Sequence, residues 1–220
     1  MTIFGEIRRK NIIKYNILTL FKKMRTICLF CGSNLGTDSI YKESAKELGK
    51  VLVFNNFNLV YGGANVGLMR VVAEEMLNHN KKVTGVITEF LAKKHLTQSG
   101  ITELITVKTM HQRKAKMAEL ADAFIVLPGG YGTLEELFEI LTGGQLSFHN
   151  KPVAIINVNG YYDFLQKQLE RMVNEKMLLK PHAGIANFVK TPQQAVEIIK
   201  NYEYPVVNKW IDDIIDDNKD

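Results

Sequence analysis

Three glycine-rich turns and a few charged residues hold most of the chemistry this chain could perform. The turns are Cys31-Gly32-Ser33-Asn34, Tyr61-Gly62-Gly63-Ala64-Asn65-Val66-Gly67 and Pro128-Gly129-Gly130-Tyr131-Gly132-Thr133-Leu134-Glu135-Glu136. Each follows a short apolar run and opens a helical pattern. Glycines there let backbone N–H groups approach an anion, and the helix that follows adds its unpaired N–H groups and the positive end of its dipole. Three such turns at one sheet edge point to phosphate. None has the GxGxxG spacing, since Gly62–Gly67 reads GGxxxG, and no GK[ST] is present. Dinucleotide redox chemistry and triphosphate hydrolysis are therefore disfavoured, and a nucleoside monophosphate or a similar ligand is expected.

Met110-His111-Gln112-Arg113-Lys114 opens a further helix, whose start faces the same loop edge. Two cations at a helix N-terminus oppose its dipole, which an anionic ligand would offset. Thr133 and Glu136 have two readings. As N-cap and third helical residue they fit a capping box worth about 1 kcal/mol. As part of a site, Glu136 would place a carboxylate in the first turn beside the phosphate, within reach of a bound sugar. Glu135 and Glu139 share that helix and are expected to be solvated. Cys28 and Cys31 form a CxxC inside a strand, where residues three apart point to opposite faces, so they read as buried thiols. The five His are scattered, with no HExxH and no GxSxG. Metal hydrolysis and acyl transfer have no support, and no metal or cofactor is expected.

The elements that must position these residues alternate along the chain. Strands are predicted at Thr26–Cys31, Asn58–Tyr61, Lys82–Ile87, Leu104–Lys108, Ala123–Leu127, Val153–Asn157 and Ile185–Val189, with helices at about 39–55, 67–80, 111–121, 133–146, 161–176 and 192–202. That order predicts an α/β fold, a single doubly wound Rossmann-like domain with a central parallel sheet. Ligands of such sheets bind beyond the carboxyl ends of the strands, where the glycine turns lie.

Composition agrees with one globular domain: 220 residues, 46% hydrophobic and 23% charged, with 5 Pro and 2 Cys. The net charge of +5 is not a nucleic-acid footprint. Residues 1–23 hold Arg8, Arg9, Lys10, Lys14, Lys22 and Lys23 against Glu6, which accounts for all of it, and residues 24–220 are neutral. The chain is read as a basic N-terminal extension (1–23), a domain over 24–205 and an acidic C-terminal tail (206–220). The extension reads as dispensable to the fold; the other reading is a basic amphipathic helix touching a membrane surface or a partner. It lacks a signal-peptide core and cleavage site, and no apolar run is long enough to span a bilayer, so a cytoplasmic protein is expected.

Pro128–Glu136 also matches PGGxGTxxE, the signature of the Lonely guy (LOG) family of nucleoside 5′-monophosphate phosphoribohydrolases. Cys31-Gly32-Ser33, Tyr61–Met69 (YGGANVGLM), Met110–Lys114 (MHQRK), Gln145-Leu146 and Asn159-Gly160-Tyr161-Tyr162 resemble the family in the same order, from about Met24 to Tyr202. The resemblance implies hydrolysis of the N-glycosidic bond of AMP or a cytokinin riboside 5′-monophosphate, releasing free base and ribose 5-phosphate. It implies a homodimer with active sites at the subunit interface, a small-molecule nucleotide substrate, and neither nucleic acid nor cofactor. By that resemblance Arg113 and Glu136 are catalytic. Ser33, Gly63, Met110, Lys114, Gly129, Gly130, Tyr131, Gly132, Thr133, Leu134 and Glu135 are the substrate-binding set. Two positions depart from the pattern. Arg70 stands where many members read GLMG, and His95 stands where members usually carry a Glu that contacts the nucleotide. Both bear on the preferred base more than on the reaction.

The competing reading is a nucleotide or molybdenum-cofactor carrier on the same fold, against which the Arg113 and Glu136 pair argues. A lysine decarboxylase, a label sometimes attached to the family, would need pyridoxal phosphate on a Schiff-base lysine, and no segment singles one out.

Overall fold

The apolar runs read as strands form one all-parallel sheet, whose five inner strands are paired on both sides. In a computed structural model describing residues 25–94 and 97–203, the strands are β1 (Thr26–Phe30), β2 (Asn58–Tyr61), β3 (Val83–Thr88), β4 (Glu103–Val107), β5 (Ala123–Val126), β6 (Val153–Ile156) and β7 (Ala186–Val189). Their order across the sheet is β4-β3-β2-β1-β5-β6-β7. The expected basic extension, the acidic tail and His95 lie outside the described residues.

Strands β1, β3, β5 and β6 are buried almost throughout, as a sheet covered on both faces requires. Period-two alternation then divides the core. Ile27, Leu29 and Cys31 join one apolar cluster and Cys28 and Phe30 the other, so the two thiols do point to opposite faces. The helices are α1 (Ser39–Phe54), α2 (Gly67–Asn78), α3 (Glu89–Ala92), α4 (Met110–Leu120), α5 (Tyr131–Gln145), α6 (Asp163–Asn174), α7 (Lys180–Ala183) and α8 (Pro192–Lys200). The short α3 and α7 are additions to the predicted set, too brief to show a helical period. Asp38 caps α1, Thr109 caps α4, and Thr191 with Gln194 forms a full capping box on α8.

From β1 the chain steps outward through β2 and β3 to β4, then returns across the sheet to add β5, β6 and β7 on the other side. The reversal falls between β1 and β5, where the loops after the two strands part to opposite sides and leave a crevice. The Gly32 N–H donates to the Pro128 carbonyl across it at 2.9 Å, and the Leu68 N–H donates to Gly32 at 3.1 Å. Two of the three glycine turns meet directly at the switch point, and the third reaches it through α2.

Candidate active site

Helix α4 is anchored at its start: the Thr109 hydroxyl accepts the Gln112 N–H at 3.1 Å, and the Gln112 carboxamide accepts the Lys108 N–H at 3.0 Å. This sends Arg113 inward. Its Nε donates to the Val86 carbonyl and its Nη1 to Glu136 Oε1, each at 2.9 Å, with both side chains about nine-tenths buried. The guanidinium points its Nη2 at Gly62, where any Cβ would collide with it. Gly62 is thus a site residue that the sequence reading passed over in favour of Gly63. Gly63 lies buried against β3 in a left-handed conformation, φ 72°, with its carbonyl accepting the Gln98 N–H.

Glu136 is not a helix cap. Helix α5 begins two residues earlier than expected, with Gly130 at the N-cap and no side chain bonded to the first turn. Thr133 is buried within that turn, its side chain packed on Gly129. The capping box is absent because the helix starts at Tyr131, which puts Thr133 and Glu136 inside it, and the Glu136 carboxylate turns inward to Arg113. The first bond of the helix runs from the Leu134 N–H to the Gly130 carbonyl. The N–H groups of Tyr131, Gly132 and Thr133 therefore have no carbonyl within α5 to bond. An added Cβ at Gly130 or Gly132 meets nothing within 4 Å, and neither residue has a positive φ. The fold does not require glycine at these two positions, whereas close approach of a ligand does.

Burial pushes the Glu136 carboxyl up to about 7, against the pull of Arg113 in the opposite direction. Lys114 is also buried, but its ammonium bridges Glu135 and Glu139, the latter at 2.7 Å, and these hydrogen bonds raise its pKa. Glu135 and Glu139 are thus half-exposed but paired, which corrects the expectation of free solvated carboxylates. The two cations at the start of α4 are offset by the protein's own acids, so their presence does not by itself require an anionic ligand.

The remaining expected residues sit around this core. Ser33 is exposed in the loop after β1, Met110 is half-exposed at the start of α4, and Tyr131 projects into solvent at 95% exposure. Leu134 packs partly against the cluster that holds Cys28 and Phe30. A cavity of about 250 Å³ lies at the crevice between Ser33, Gly32, Pro128, Gly129, Gly130 and Tyr161. Glu136 and Lys114 line a second, of about 410 Å³, with Phe30, Glu139, Phe148 and His149. Arg70 turns along α2 toward Glu74, at 3.8 Å. No cluster of His, Cys, Asp and Glu able to hold a metal occurs among the described residues. No helix among them is long and apolar enough to cross a membrane.

The arrangement is a buried carboxylate on a fixed guanidinium beside a helix N-terminus with bare N–H groups. Comparison with known proteins places the chain in a family. A family model described as "Possible lysine decarboxylase" matches residues 69–199. The chain is 44% identical over 183 residues to the probable cytokinin riboside 5′-monophosphate phosphoribohydrolase LOGL6 of Oryza sativa subsp. japonica, covering 83% of this chain and 73% of that one. It is 44% identical over 181 residues to the cytokinin riboside 5′-monophosphate phosphoribohydrolase LOG1 of Arabidopsis thaliana, covering 82% and 84%. Among solved structures, the molybdenum cofactor binding protein of Rippkaea orientalis shares the fold with a TM-score of 0.62 at 21% identity, over 81% of this chain and 97% of that one. With more than two fifths of its residues shared along more than four fifths of its length, the chain belongs to the LOG family.

Proposed function

We propose that this protein hydrolyses the N-glycosidic bond of nucleoside 5′-monophosphates, AMP and cytokinin riboside 5′-monophosphates, to free base and ribose 5-phosphate. One observation carries the reading: a buried Glu136–Arg113 pair stands beside a helix start whose N–H groups are bare and whose Gly130 and Gly132 are unneeded by the fold. The 5′-phosphate lies over Gly129–Thr133, where the N–H groups and the dipole of α5 meet it. The sugar then faces Glu136. As the C1′–N9 bond breaks, positive charge develops on the ribose, and a carboxylate in a poorly solvated site stabilises it strongly while taking a proton from the attacking water. Arg113 holds that carboxylate in place through three contacts, with Glu136, Val86 and Gly62. Binding energy from the phosphate positions the reacting sugar.

The family model's description does not fit the site's lysine. Lys114 is held as an ammonium between two carboxylates, the reverse of the neutral amine that Schiff-base chemistry requires. A carrier role shares the fold, but a carboxylate buried at the site is a cost to a protein that only binds an anion.

A cytoplasmic homodimer with its sites at the subunit contact completes the reading. Met110, Phe138 and Phe148 are exposed on or beside α4 and α5, Phe148 lining a cavity with Lys114 and Glu136, and a second copy would cover them. Two free, buried thiols suit a reducing compartment.

The test is incubation of the purified protein with AMP, isopentenyladenosine monophosphate and adenosine, with free base and ribose 5-phosphate followed by chromatography. Base release from the monophosphates and not from adenosine is expected. Tight nucleotide binding without release would replace the hydrolase with the carrier.

A further inference from the structure

The phosphate loop is held from behind by residues that take no part in the chemistry above. Three successive carbonyls of Leu127–Gly129 each accept a hydrogen bond. Leu127 accepts from the Tyr162 hydroxyl at 2.9 Å, Pro128 from the Gly32 N–H at 2.9 Å, and Gly129 from the Tyr161 hydroxyl at 2.8 Å. In a trans peptide the carbonyl and the N–H that follows point in opposite directions. Fixing the Pro128 and Gly129 carbonyls therefore turns the N–H groups of Gly129 and Gly130 away from those donors, extending the row of bare N–H groups that opens α5.

The two tyrosines come from the turn after β6. Asn159 and Gly160 adopt left-handed conformations there, φ 51° and 70°, and the Asn157 side chain accepts the Tyr162 N–H at 2.7 Å. The Tyr161 ring packs edge-on against Tyr162 at 4.9 Å and against Tyr41 at 5.8 Å. Tyr162 is buried, whereas Tyr161 is half-exposed and forms a wall of the 250 Å³ cavity.

We infer that Tyr161 is a positioning residue for the phosphate loop: its hydroxyl, bonded to the Gly129 carbonyl, aims the Gly130 N–H at the 5′-phosphate of the substrate. This rests on the nucleotide reading. It assigns the Tyr161–Tyr162 pair to phosphate affinity and leaves bond cleavage to Glu136.

Tyr161→Phe removes the hydroxyl and keeps the ring. Calorimetric binding of AMP and of adenosine is measured with the parent and the variant, both carrying Glu136→Gln so that ligand is not consumed. AMP affinity is expected to fall about five- to tenfold, the worth of one lost hydrogen bond, with adenosine affinity unchanged. With Glu136 intact, KM for AMP should rise by the same factor with kcat retained. A merely structural role would weaken both ligands together, and that result, or an unchanged AMP affinity, overturns the inference. A parent that binds AMP no better than adenosine overturns the nucleotide reading itself, before the tyrosine is touched.

Discussion

Arg113 and Lys114 are neighbours near the start of one helix and reach carboxylates on the next, yet their ion pairs are of different kinds. Arg113 meets Glu136 where both are about nine-tenths buried, while the partners of Lys114, Glu135 and Glu139, remain 57% and 43% exposed. Water still solvates the outer carboxylates. The inner one has exchanged water for a single guanidinium, and burial outweighs that partner, leaving its carboxyl near neutrality. One helix turn thus supplies a structural clamp and a buried acid with a raised pKa, and desolvation separates them.

Exchanging the acids should break this contrast most sharply. Glu136→Gln is expected to lower kcat for base release by about 10²- to 10⁴-fold while AMP still binds, whereas Glu135→Gln should leave kcat nearly unchanged. Quantifying free base by chromatography checks both, and equal losses would make the two acids equivalent.

Arg113→Met should rank next. Removing one partner of a buried pair costs about 3–5 kcal/mol, read as a fall in the denaturant midpoint. Since Arg113 lowers the Glu136 pKa, the acid limb of the pH–rate profile, expected near 7 in the parent, should move upward in the variant. The sign for stability is the reverse of that for activity. Folding raises this carboxyl from 4.5 to about 7, so the stabilisation from its bound proton is present below 4.5 and lost as pH rises through 7, where the active carboxylate forms.

The smallest effect sharpens the comparison at the backbone. Gly132→Ala fills open space in a helix and should raise stability by up to about 1 kcal/mol while weakening AMP binding. Gly62→Ala meets the Arg113 guanidinium and should lose both stability and activity. Paired melting and KM measurements separate a glycine kept for a ligand from one kept for packing.

The strands were legible to within a residue or two at each end, because apolar runs bounded by glycine turns and helical periods are local signals. The LOG-like motifs assigned Arg113, Lys114 and Glu136 to one site. Thr133 and Glu136 were not resolvable in the same way. Thr-x-x-Glu spells a capping box and a catalytic first turn identically, and the competing partner, Arg113, lies 23 residues away along the chain. The motif pointed to Gly63 and passed over Gly62, since adjacent glycines differ only in what packs on them. Tyr161 and Tyr162 formed part of a motif, but their hydroxyls reach the turn after β5 across 32 and 35 residues.

Taken alone, the sequence settled the alternation of strands and helices, the glycine turns at the strand ends, and the confinement of excess charge to residues 1–23. All are properties of neighbouring residues. Tertiary structure decided which carboxylate is buried, which cation holds it, which glycines face open space and which way the loop's peptides turn. Those depend on contacts between distant segments and on water excluded by the packed sheet, and a carboxylate's pKa follows from that exclusion more than from its neighbours in the chain.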